Sequence, residues 1–99
     1  MKYFIYQIID KNNNEEFYIG STNNISARKS KHKKTTNNKV SKRYWTKLYK
    51  YIRENGNWEC FEVIILESGE CDTTLFMRQK EQEYINNMKP TLNTISACK

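Results

Sequence analysis

Lys2 to Ile9 alternates along its length and is rich in Tyr, Phe and Ile, which predicts a β-strand. A second strand is predicted from Glu16 to Gly20. Between them lies Asp10-Lys11-Asn12-Asn13-Asn14, a run that favours turns because Asn and Asp bond their own backbone and tolerate left-handed geometry. The two runs therefore read as a β-hairpin with a long polar loop. A loop centred near residue 12 sets Tyr6 and Tyr18 roughly opposite one another, on one face of the sheet, since side chains alternate with period two. Gly20 is expected to end the second strand where the backbone turns tightly.

Beyond the hairpin the period changes. Asn23 or Asn24 is suited to cap a helix running to about Lys34. Only Ile25 and Ala27 are apolar in it, so it is expected on the surface, with Arg28 and His32 sharing a face four residues apart. Thr35 to Lys39 reads as a polar loop. A second helix is predicted from Ser41 to Glu54, with Tyr44, Leu48, Tyr51 and Ile52 on one side and Trp45 and Tyr49 beside them. Asn55-Gly56 stops it in the left-handed way usual for helix ends. Cys60 to Leu66 is nearly continuous in apolar residues, which predicts a strand buried on both faces and central in the sheet. Asp72, Thr73 or Thr74 then caps a third helix that Pro90 ends near Lys89. The fold class that follows is α/β of the α+β kind: a small, mainly antiparallel three-stranded sheet, made of the N-terminal hairpin plus a central buried strand, flanked by three helices. One domain is expected over residues 1–99, with no linker, repeat or separate DNA-targeting domain.

The third helix contains an anomaly. Met77, Tyr84, Ile85 and Met88 define its inward stripe, and Glu81 stands within that stripe. A carboxylate on a buried face costs several kcal/mol unless a salt bridge, hydrogen bonds or a cation compensates it. Arg78, one turn earlier, is the ordinary partner to expect; a bound cation is the other reading.

Charge distribution adds a partner to the picture. Residues 21–53 hold eleven of the seventeen Lys and Arg and no acid, a segment of +11 on a remainder of −5. Such polarity attracts a polyanion and steers its approach, which points to nucleic acid rather than to a membrane. The expected contacts are Lys29, Lys31, Lys33, Lys34, Lys42, Arg43 and Lys47. The cysteines, Cys60, Cys71 and Cys98, are odd in number and lack metal-site spacing, so free thiols in a reducing intracellular compartment are expected. A metal site from Cys60, Cys71 and His32 is disfavoured on the same ground. No stretch reaches membrane-spanning length, and no signal peptide precedes the first strand.

The ordered set of these pieces resembles the GIY-YIG nuclease domain from Tyr3 to Asn93. Phe4-Ile5-Tyr6 stands at the first motif, with Phe where the family usually has Gly, and Tyr18-Ile19-Gly20 carries the second motif intact. Arg28 and His32 follow where the family has an arginine and then a histidine or tyrosine. Leu48 to Phe61, with Ile52, Gly56 and Trp58, is similar to the middle segment, and Glu81 with the closing Asn93 is similar to the metal-binding helix and its sequel. Lys29 departs from the pattern, standing where an apolar residue is common.

The resemblance implies a DNA endonuclease that attacks phosphorus directly with water and uses one divalent ion, Mg²⁺ or Mn²⁺. Glu81 is implied as the metal carboxylate, Arg28 as the phosphate contact, and Tyr18, assisted by Tyr6, as the group that positions or deprotonates water. A free phenol near pKa 10 is a poor base at neutral pH, so this role requires the metal and Arg28 to favour the phenolate. His32 is an alternative base, proton relay or phosphate contact. Gly20 and Asn93 are implied as supporting residues. The substrate implied is double-stranded DNA, cut with weak sequence specificity unless a homodimer or a separate targeting partner supplies it. The competing reading is a catalytically inactive nucleic-acid-binding module that keeps the fold and the basic face.

Overall fold

Only two residues, Lys11 and Asn12, separate the first strands in a computed structural model that describes residues 1–93. Strand β1 spans Lys2–Asp10 and β2 spans Asn13–Thr22. The long loop expected from the Asn run is therefore a tight turn. Asp10 achieves this itself: its Oδ1 accepts the Asn12 N–H at 2.9 Å, closing the turn and freeing Asn13 and Asn14 to join the strand. An irregularity between Ile9 and Asp10 then shifts the register of the rest of the ladder. Tyr6 pairs with Gly20, and Tyr18 pairs with Ile8. The two phenols share a face, as predicted, but as diagonal neighbours rather than opposite ones.

Helix α1 is Ile25–Thr36, capped by Asn24, whose side chain accepts the Ala27 N–H at 3.0 Å. Thr35 and Thr36, expected in a loop, are buried in its last turn; the Thr36 hydroxyl donates to the His32 carbonyl, which lets a polar residue sit inside. Helix α2 is shorter than predicted, Lys47–Glu54, because residues 41–45 form turns. Tyr44 is nevertheless buried, while Trp45, expected beside the apolar face, is 71% exposed. Arg53 braces this segment: it donates to the Thr36 and Tyr44 carbonyls at 2.8 Å each and lies 3.5 Å over the Tyr44 ring. Gly56, with φ of 98°, ends α2 as predicted; a Cβ there would fall 2.3 Å from Cys60 Sγ.

After a single 3-10 turn at Trp58–Cys60 comes β3, Phe61–Glu70. All pairings are antiparallel, in the order β2-β1-β3. The class of fold is as expected, but β1 is the central strand and β3 an edge. An apolar run does not by itself distinguish these positions. Here Ile64 and Ile65 are substantially exposed, and a bulge opposite Ile5 and Tyr6 breaks the alternation at Leu66. Glu62, Glu67 and Glu70 then keep that edge charged. Helix α3, Thr74–Met88, is capped by the Thr73 side chain and ends at Lys89, as predicted; Lys89 itself takes the left-handed conformation. Met88, assigned to the inward stripe, is instead 37% exposed.

Two cores result. On one face Tyr6 and Ile8 pack with Leu48, Tyr49 and Ile52 of α2, and on the other Tyr3, Ile5 and Ile19 pack with Met77 of α3. Cys60 and Cys71 are free thiols, as expected, while Cys98 lies outside the described residues. Among the described residues no helix is long and apolar enough to cross a membrane.

Candidate active site

The two layers meet at the outer edge of β2, around a cavity of about 370 Å³. Tyr18, Arg28, His32 and Tyr49 line it from the α1/α2 side. Ser21, Met77, Arg78 and Glu81 line it from the α3 side, and Lys31, Arg43 and Gln82 complete it. Period-two alternation would keep Tyr18 and Ser21 on opposite faces. They reach one cavity because the site wraps around the strand edge instead of sitting on a face.

That edge is held by Asn93. Its side-chain oxygen accepts the Ile19 N–H and its amide donates to the Ile19 carbonyl, each at 2.9 Å. One amide side chain thus satisfies both backbone groups of the residue between Tyr18 and Gly20, as a neighbouring strand would. Leu92 N–H donates to the Phe17 carbonyl, extending the same edge pairing.

Gly20 is not the strand end expected from the sequence; it lies within β2 and has no positive φ. Its missing side chain makes room for the tyrosines. A Cβ at Gly20 would lie 2.6 Å from the Tyr6 hydroxyl oxygen and 2.9 Å from the Tyr18 ring. Gly20→Ala is therefore expected to destabilise the fold by about 1–3 kcal/mol through overpacking. A thermal melt measures this, and a Tm equal to that of the unsubstituted chain would contradict the close approach.

His32 is buried, at 3% exposure, with both ring nitrogens engaged. Nε2 lies 2.7 Å from the Tyr6 hydroxyl and Nδ1 lies 2.7 Å from the Tyr49 hydroxyl. The Trp58 ring stacks on the imidazole at 6.1 Å. Burial foremost, then Arg28, Arg43 and Lys31, lowers its pKa to about 4. A neutral imidazole donates from one nitrogen and accepts at the other, so one phenol gives it a proton and the other receives one.

The depressed value makes stability depend on pH. The unfolded chain binds a proton at His32 near pH 6.5 and the folded chain only near 4. The folded state thus has its full advantage above about pH 6.5 and loses on the order of 3 kcal/mol as pH falls toward 4. Denaturant melts across that window should show the decline, and the same melts on His32→Gln should be flatter. Equal slopes in the two proteins would refute the assignment.

The phenols are pushed the other way. Burial first, then Tyr18, raises Tyr6; burial first, then Glu81, raises Tyr18; and burial lifts Tyr49 to about 12. Arg28 and Arg43 pull Tyr18 down, as does hydrogen bonding with Tyr6, but burial and Glu81 outweigh them. The phenolate that the sequence reading required is opposed by its surroundings.

Glu81 is half-buried and accepts the Ser21 hydroxyl at Oε1. The partnership with Arg78 does not form: among the described residues the one ion pair within 4.0 Å is Lys80 with Glu67. Glu81 therefore presents a carboxylate to a cavity rimmed by Arg28, Lys31, Arg43 and Arg78. No group of three His, Cys, Asp or Glu that could hold a metal occurs among the described residues. A hard cation that keeps most of its waters suits a single carboxylate, so the donor set fits Mg²⁺ or Mn²⁺ better than a metal needing a full protein cage.

Of the predicted basic contacts, Lys31 and Arg43 reach the cavity, while Lys29, Lys33, Lys34, Lys42 and Lys47 lie exposed outside it. Tyr6 stands behind Tyr18 and His32 rather than on the wall. Sequence reasoning missed Ser21 and Tyr49 as site residues. Ser21 had a signal in directly following Gly20; Tyr49 looked like one more aromatic of α2.

The model of the GIY-YIG catalytic domain matches residues 2–95. Among solved structures, the chain is similar to the catalytic domain of intron endonuclease I-TevI, in a mutant form with one glutamate replaced by alanine. The identity is 27% and the TM-score 0.73, over 90% of this chain and 86% of that one. Among curated protein sequences none matches.

Proposed function

The chain belongs to the GIY-YIG family and is a phosphodiester-hydrolysing endonuclease of nucleic acid, and on that premise we propose that it cuts double-stranded DNA using one Mg²⁺ or Mn²⁺ held by Glu81. The observation that carries this reading is the convergence of Tyr18, Arg28, His32 and Glu81, from three different elements, on one cavity. Glu81 would hold the divalent cation, which when bound would supply Lewis-acid stabilisation of the phosphate and help activate water.

The chain's own groups do the rest. Arg28 presents a planar fork to the scissile phosphate and offsets the charge that grows on its oxygens. Tyr18 orients the attacking water through its hydroxyl. Because its phenol resists ionisation, Tyr18 acts as a relay: it accepts the water proton as its own passes to Tyr6, whose proton moves to His32 Nε2. Tyr49 accepts from Nδ1–H and so leaves Nε2 as the acceptor. A bound phosphate neutralises Arg28, Lys31 and Arg43, three causes of the low His32 pKa, which raises the basicity of the imidazole when substrate is present. Lys29, Lys33, Lys34, Lys42 and Lys47 hold the duplex by phosphate contacts.

Incubation with supercoiled plasmid tests the proposal. Nicked and linear forms are expected with Mg²⁺ or Mn²⁺, and none with EDTA. Plasmid that stays supercoiled with both metals would favour the inactive binding module instead.

A further inference from the structure

The turn segment between α1 and α2 presents apolar side chains that no core absorbs. Val40 is 90% exposed and Trp45 is 71% exposed, within a stretch that also carries Lys39, Lys42, Arg43 and Lys47 and no acid. An exposed indole among cations is the composition of a nucleic-acid surface in which aromatic faces receive bases. Trp45 is also held in place. It packs edge-on against buried Tyr44 at 4.7 Å, and Arg53 lies 5.9 Å from its ring while bonded to two carbonyls. Its position relative to the cavity is fixed by the chain. Arg43 lines the cavity, and two residues of backbone reach at most about 7 Å. A phosphate at Arg43 therefore brings the adjoining base steps within reach of Trp45.

We propose that Trp45 is a base-stacking wedge that engages an unpaired or unstacked base next to the scissile phosphate. The favoured substrate class is then duplex DNA with a locally opened step, such as a bulge or mismatch. Inserted apolar side chains unstack base steps, and opening is least costly where pairing is already lost. This inference rests on the endonuclease reading above and adds a preference to it.

The test compares two duplexes of one sequence, one fully paired and one carrying a single unpaired 2-aminopurine. Binding to the full chain is measured in EDTA, and 2-aminopurine fluorescence is followed at the same time. The unsubstituted protein is expected to bind the bulged duplex at least tenfold more tightly and to quench its probe. Trp45→Ala should bring the ratio of the two Kd values near one and remove the quench, while Trp45→Phe keeps most of both. The dependence of affinity on salt, set by the lysines, should be the same in all three proteins. Equal binding of the two duplexes by the unsubstituted protein, or full discrimination by Trp45→Ala, would overturn the wedge. A plasmid assay on the same preparations separates the two levels. Nicking with unaltered discrimination in Trp45→Ala defeats the wedge alone, whereas no nicking by the unsubstituted protein defeats the endonuclease reading on which it rests.

Discussion

Glu81→Gln is expected to lower Mg²⁺-dependent plasmid nicking by about a thousandfold or more, the scale of losing several kcal/mol of metal-centred charge stabilisation. Glutamine keeps the shape and can still accept the Ser21 hydroxyl, so the melting temperature should stay close to that of the unsubstituted chain. The substitution also gives opposite signs for two mechanisms. The Glu81 charge is the second-largest cause holding the Tyr18 phenol un-ionised. Removing it makes the phenolate easier to form. If the phenolate alone limited the rate, nicking would rise. A rise, or no change, therefore excludes Glu81 as the metal carboxylate; a large fall at preserved Tm supports it.

Arg28 is the second large effect. Arg28→Ala should reduce the cleavage rate by about 10²–10³-fold, the usual consequence of removing one group that stabilises developing oxyanion charge. Arg28→Lys keeps the charge but not the fork, and should still lose at least about tenfold if two phosphate oxygens are contacted together. A separate readout follows from the imidazole. Arg28 is the largest charge-based cause of the low His32 pKa. Its removal should move the His32 titration upward when followed by NMR, while Arg28→Lys should hold it nearer the original value. Alanine and lysine variants that cut as fast as the unsubstituted chain would remove Arg28 from the mechanism.

Much of this arrangement could be read in the sequence because it depends on local chemistry. Asn24, Thr73, Gly56 and the residues near Lys89 act at helix ends through bonds to their own neighbourhoods, and the helix boundaries they set fell within a few residues of expectation. The hairpin and the shared face of Tyr6 and Tyr18 follow from period two. What was misread depends on partners distant in the chain. Gly20 looked like a turn residue because glycine's usual value is its backbone freedom. Its actual value is empty space beneath the Tyr6 ring, a fact that exists only in the paired register. The Cys60 to Leu66 run looked central, yet an apolar segment has the same sequence at an edge or in the middle. The edge assignment came from β1 pairing on both sides. Trp45 looked like core because its spacing matched a helix that turned out to begin at Lys47. Tyr49 gave no sign of bonding a histidine seventeen positions earlier.

The amide of Asn93 lies 74 positions from the backbone it bonds, and Glu81 is 60 from Ser21. A ribosome producing this chain releases Tyr6, Tyr18, Arg28 and His32 first and the carboxylate and clamp later. Domains emerge N-terminus first during synthesis. A nascent chain therefore carries the +11 segment of residues 21–53 before the Glu81 carboxylate has been made. The β2 edge is closed by Asn93 only after α3 has been made, so the order of translation places the Glu81 carboxylate and the Asn93 clamp after the other residues that build the cavity.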